Sequence, residues 1–208
     1  MKRKGQLFVV SAPSGTGKTT ICRAVVKTVP GLTASVSYTT RPPRPAEQDG
    51  KDYFFVDEPK FLDMINQEVF AEWAQVHGHY YGTPKAALLA SLRSGQDVLL
   101  NIDSQGAMHL KKWYPQGVFV YLLPPSFETL ETRLMERAAD SSQVIQQRLQ
   151  KATEEIKKYP AYTYLIVNDD LKKAIDDLKT IIQAERLKIN QVDHAWVARV
   201  FHLRKDGM

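Results

Sequence analysis

The chain is poor in the residues that would make it covalently braced or membrane-bound. Its 208 residues include one cysteine, Cys22, so no internal disulfide can form; its place in the first helical pattern points to packing, not reactivity. No apolar run approaches the ~20 residues of a membrane span. The basic start Met1-Lys2-Arg3-Lys4-Gly5 leads into a short strand instead of a cleavable apolar region, so the expectation is a soluble, cytoplasmic protein. Repeats, low-complexity tracts and long linkers are missing, which suggests a single compact unit. His77 and His79 lack metal-ligand spacing and read as turn or surface residues. The formal charge of +5 suits an anionic ligand. Its Lys and Arg residues are scattered and no nucleic-acid-reading motif accompanies them, so neither a nucleic acid nor a membrane is expected as partner.

What is present is ordinary globular material, 43% hydrophobic and 25% charged, enough for one medium domain with a substantial core. The informative stretch is Ala12-Pro13-Ser14-Gly15-Thr16-Gly17-Lys18-Thr19, followed by Thr20. It matches the phosphate-binding loop G-x-x-x-x-G-K-[ST] at every fixed position but the first, where Ala12 replaces glycine. The apolar run Leu7 to Val10 precedes it and the helical pattern Ile21, Val25, Val26 follows, giving the strand, turn and helix that such a loop needs. Small residues let backbone N–H groups curl around phosphate, Lys18 can reach the outer phosphates, and Thr19 can ligate Mg2+.

Apolar strands at Leu7 to Val10, Val98 to Ile102, Val118 to Leu122 and Leu165 to Val167 alternate with helical patterns. This predicts an α/β fold with a parallel sheet wrapped by helices and the loop at its carboxyl edge. The predicted core is 1–36 and 96–190. Residues 37–95 read as an insertion, because Arg41-Pro42-Pro43-Arg44-Pro45 cannot be helical and short aromatic strands follow. Within it, Tyr53 to Val56 is a strand, Pro59 to Gln67 a helix, and Val69 to Thr83 a hairpin turning at His77-Gly78, before a helix from Lys85 to Arg93. Ser126 caps a helix through Ala138, a second runs from Asp140-Ser141 to Lys158, and the final helix spans about Asp170 to Lys188. The tail, 191–208, either packs on the core or mediates assembly.

The blocks SAPSGTGKTT, SVSYTTRPPRP, GKDYFF, EWAQVHGHYYGT, IDSQGA and LIVNDD, in this order, resemble the guanylate kinase family from Leu7 to about Leu187. The resemblance implies a kinase that phosphorylates GMP to GDP, with ATP as donor and Mg2+ as cofactor. It makes the insertion the GMP-binding part and 126–158 a helical lid. It places Ser37, Arg41, Arg44, Tyr53, Glu72, Tyr81 and Thr83 around GMP. The chemistry suits that placement: guanidinium and phenol groups donate to a monophosphate. Glu72 can accept from the ring N–H and exocyclic amine of guanine, and Ser37 and Thr83 can donate to its oxo group. Arg133, Arg137 and Arg148 match lid arginines that bridge donor and acceptor phosphates, and Asn168 falls near the adenine side. Asp103 is read as organising Mg2+ waters or contacting GMP, or as the cap of the Ser104 helix, and these roles are compatible. Asn101 stands where the family carries an aspartate. Two other readings stay open on sequence grounds: a kinase for another small phosphate ester, and a guanylate-kinase-like binding module.

Overall fold

Strand β1 (Leu7–Ser11) is buried along its whole length, which is why it reads as an unbroken apolar run and not as an alternating one. A computed structural model describes residues 4–76, 78–137 and 142–203 of the chain. In it β1 is the centre of a five-stranded parallel sheet. Its neighbours are β7 (Asp97–Asn101), joined at Leu7 to Val98, and β8 (Val118–Leu123), joined at Phe8 to Val118. The short β2 (Leu32–Ala34) and β9 (Tyr164–Val167) form the edges, giving the order β2-β7-β1-β8-β9. The strands at Leu7, Val98, Val118 and Leu165 stand where the sequence patterns put them. β2 has no apolar pattern of its own, because only Leu32 is buried.

Helices cover both faces of this sheet. On one, α1 (Lys18–Thr28) and α7 (Leu171–Arg186) pack Ile21, Cys22, Val25, Ala174, Leu178 and Ile182 against Phe8, Val10, Leu99 and Val120. Cys22 is therefore core, and burial pushes its thiol up to about 12. On the other, α3 (Lys85–Arg93) and α4 (Ser104–Trp113) set Leu88, Leu92, Ala107 and Leu110 on Leu7, Val9 and Phe119. So α3, expected inside the insertion, belongs by its packing to the main sheet.

A second sheet of order β4-β3-β6-β5 joins β3 (Ser37–Thr39), β4 (Tyr53–Phe55), β5 (Phe70–Val76) and β6 (His79–Pro84). The helix α2 (Glu58–Asn66) buries Phe61 against Phe70 and Tyr80, with ring centroids 4.6 and 5.4 Å apart. The expected hairpin turn contains Gly78 at φ +82°, and its other residue, His77, lies outside the described residues. Finally α5 (Phe127–Arg137) and α6 (Ser142–Ile156) share a small apolar core of Leu130, Leu134, Leu149 and Ala152. Ser126 caps α5 as expected, its Oγ accepting from the Thr129 N–H at 3.1 Å. The expected start of the second helix, Asp140 and Ser141, lies outside the described residues. Helix α7 is not the last: α8 (His194–Val200) follows, capped by Asp193.

Candidate active site

At the carboxyl end of β1 the chain turns through Ala12, Pro13, Ser14, Gly15, Thr16 and Gly17 before α1 begins at Lys18. Gly15 and Gly17 both have φ of +92°, where a side chain is penalised, and such left-handed residues turn successive N–H groups to one side. The loop is tied from within by Thr16 Oγ1, which donates to the Pro13 carbonyl at 2.9 Å. It is tied from across the sheet by Asn168 Nδ2, which donates to the Thr16 carbonyl at 2.6 Å. Local sequence gives no sign of the second tie, since its partners are 152 residues apart. Gly15 also lies against the α5 side chains: a Cβ there would stand 3.2 Å from Leu130 and 3.3 Å from Leu134.

Lys18 Nζ donates to the Ile102 carbonyl at 2.6 Å, which anchors it to the end of the neighbouring strand instead of leaving it extended. Desolvation lowers its pKa, against the opposing pull of Cys22, Asp103 and Glu155. Thr19 Oγ1 accepts from Asn101 Nδ2 at 3.3 Å.

One cavity opens between the two sheets beside this lysine. The insertion lines it with Ser37, Tyr53, Glu72 and Tyr81, and the core with Lys18, Thr19, Asn101 and Asp103. Glu72 is only 6% exposed. Burial, helped by the nearby Asp103 charge, pushes its carboxyl up to about 7, against the lowering effect of Thr83. Thr83 Oγ1 donates to Glu72 Oε1 at 2.5 Å, so its proton is committed to the carboxylate, and in this arrangement Thr83 orients Glu72 instead of facing a base. Asp103 caps the helix α4 and also lines the cavity. Its Oδ1 accepts from the Gln105 and Gly106 N–H groups at 2.7 and 3.1 Å.

The two arginines of the proline-rich turn do not line this cavity. Arg41 is held by Glu47, with both carboxylate oxygens 2.9 Å from Nη2, and its guanidinium stands over the Tyr53 ring at 5.6 Å. Arg44 is exposed, with its backbone N–H donated to Glu47 at 2.8 Å. Glu47 was not singled out by sequence; its place six residues after Arg41 in an irregular loop carries no periodic signal.

A second cavity lies on the other side of the loop, lined by Gly15, Gly17, Thr20, Arg133, Asn168 and Asp169. Asp170 is occupied elsewhere, capping α7 at the Lys173 N–H. Between the cavities, the concave side of the loop is shared by Lys18, Thr19, Asp103 and Glu155. Glu155, from α6, is a further site carboxylate that sequence did not mark; burial raises its pKa against the attraction of Lys18, and the Ser14 N–H faces it. Arg137 and Arg148 belong to α5 and α6, but their side chains lie outside the described part of the structure.

A phosphate loop at the carboxyl edge of a parallel sheet, with one cavity on each side and a lysine between them, defines a P-loop phosphotransferase of the α/β class. The sequence model of the guanylate kinase family matches residues 4–185. A guanylate kinase of Carboxydothermus hydrogenoformans is 50% identical over 191 residues, covering 92% of this chain and 94% of that one. One of Geobacter sulfurreducens is 47% identical over 203 residues, covering 98% and 100%. The crystal structure of guanylate kinase from Anaplasma phagocytophilum superposes with a TM-score of 0.80 at 32% identity, covering 96% of both chains. The chain belongs to the guanylate kinase family.

Proposed function

We propose that this chain carries out ATP + GMP → ADP + GDP, with the two nucleotides meeting at the phosphate loop from opposite sides. The observation that carries the reading is Glu72, a carboxylate buried in a cavity that shares Lys18 with the loop. Ionised, it accepts from both N–H edges of guanine, which adenine cannot satisfy, and a buried acceptor left unpaired rejects the wrong base. Ser37, Tyr53, Tyr81 and Asp103 complete the acceptor site, with Thr83 orienting Glu72. Arg41 and Arg44 take the GMP phosphate, which replaces Glu47 as the partner of Arg41. Residues 12–20, Arg133 and Asn168 form the donor side, in a core of 1–36 and 96–190 that carries the lid at 126–158; the insertion is 37–95, its last helix α3 packing on the core sheet.

The acceptor is already an oxyanion, so no strong general base is needed. Loop N–H groups and Lys18 offset charge on the moving phosphoryl group, and the lid arginines Arg133, Arg137 and Arg148 close over it to hold the two phosphates in line and exclude water. Among the described residues no group of three or more His, Cys, Asp or Glu could cage a cation. That suits Mg2+, which keeps most of its water and leans on substrate phosphates. The Thr19 hydroxyl is a hard oxygen donor beside the loop and would hold it, giving up the bond it accepts from Asn101 Nδ2, and the ion would supply charge neutralisation across the phosphates. Among the described residues, no helix is long and apolar enough to cross a membrane; we place the enzyme in the cytoplasm.

The test is ADP release from ATP in the presence of GMP, AMP, CMP or UMP. GMP alone should support rapid turnover. Equal rates with AMP, or turnover with another phosphate ester only, would sink the assignment of Glu72.

A further inference from the structure

Gly106 sits in the first turn of α4, buried, directly beneath the Glu72 carboxylate. Its φ lies outside the left-handed region, so the backbone there does not call for glycine, and glycine is a poor residue inside a helix. What does call for it is space. A Cβ at this position would lie 2.3 Å from Glu72 Oε2 and 3.2 Å from Glu72 Cδ, with Asp103 Oδ2 at 3.4 Å. The carboxylate cannot swing aside freely, because its other oxygen is held by Thr83 Oγ1 at 2.5 Å. Nor can the strand easily withdraw: α4 also meets β5 one turn further on, where His109 Nδ1 lies 3.3 Å from the Trp73 carbonyl.

We propose that Gly106 is a specificity-determining position of this enzyme. Its missing side chain lets the Glu72 carboxylate of the insertion settle on the core helix, and so fixes the distance between the base-reading group and the phosphate loop. The inference rests on Glu72 reading guanine. Gly106 is a positioning residue: it touches neither nucleotide, and it acts through the carboxylate that it admits. A methyl group there pushes Glu72 out of register with guanine while the loop, Lys18 and the donor side stay in place.

The experiment compares wild type, Gly106→Ala, Glu72→Gln, Glu72→Asp and the pair Gly106→Ala/Glu72→Asp by steady-state kinetics and thermal melting. Gly106→Ala should raise KM for GMP about tenfold or more and narrow the preference for GMP over AMP, with KM for ATP and kcat within about twofold. The melting temperature should not fall. In the pair, the shorter aspartate makes room for the methyl group, so Gly106→Ala should add little to the loss of GMP affinity that Glu72→Asp causes by itself. An unchanged KM for GMP in Gly106→Ala beside a damaged Glu72→Gln overturns the inference and spares the guanine reading. A silent Glu72→Gln sinks that reading itself. Parallel losses in ATP and GMP, or a lower melting temperature that the pair does not restore, would assign Gly106 to stability alone and also overturn the proposal. Should Gly106→Ala fail to fold, folding of the pair is the supporting result and its failure the contrary one.

Discussion

Glu72→Gln should make the ligand-free protein more stable and the enzyme worse, and the structure gives the size of the first effect. Burial raises the folded-state carboxyl from its usual 4.5 to about 7. Such a raised acid costs stability wherever the unfolded chain is ionised and the folded one resists it, so stability falls as pH rises from about 4.5 through 7. At pH 8 the cost is about 3 kcal/mol, at 1.36 kcal/mol for each pKa unit. Glutamine keeps the shape and can still accept from Thr83, without the charge. The variant should therefore melt roughly 6–12 °C higher at pH 8, given about 2–4 °C per kcal/mol for a chain of this size. At pH 5.5 the wild-type carboxyl is largely protonated when folded, and the gain should shrink to about 1 kcal/mol. GMP binding should meanwhile weaken about 100-fold, because one charged acceptor is lost and an amide donor faces guanine. The assay is calorimetric melting of both proteins at the two pH values, with and without GMP. Equal melting temperatures at pH 8, or a gain that does not depend on pH, would show that Glu72 is not held as a strained carboxylate, and the argument for its role would fail with it.

Two further variants separate catalysis from architecture. Lys18→Ala should lose at least about a thousandfold in kcat while GMP dissociation, measured by calorimetry, stays within a few-fold, since Glu72 and the insertion are untouched; turnover surviving with GMP affinity gone would contradict the assignment. Asp97 is fully buried at the opposite end of the sheet, its oxygens accepting from the Gln6 N–H at 2.7 Å and from Arg186 Nε at 2.8 Å. Asp97→Ala strands both donors and should cost about 3–5 kcal/mol by urea denaturation, with KM for GMP and ATP unchanged in the surviving folded protein.

The sequence by itself determined the local elements and the chemistry they carry. Leu7 to Val10, with the glycine-spaced turn behind it, could form little but a buried strand leading into a phosphate loop, because both signals are short-range: unbroken apolarity, and glycines where φ must be positive. The residues around Glu72 carry no such short-range signal one by one; the order of six blocks that resemble a family marked them, and their donors and acceptors suit the nucleotide expected there. Tertiary structure decided what no window of sequence contains. It paired Asn168 with the loop across 152 residues, gave the Thr83 proton to Glu72 and brought Glu155 to Lys18. It drew Arg41 onto Glu47, moved α3 onto the main sheet and made β2 a strand by pairing alone. It also gave Gly106 its meaning. In the sequence that glycine looks like a weak point in a helix; in the fold it is the space into which the carboxylate of another sheet descends, and only packing between distant segments creates that demand.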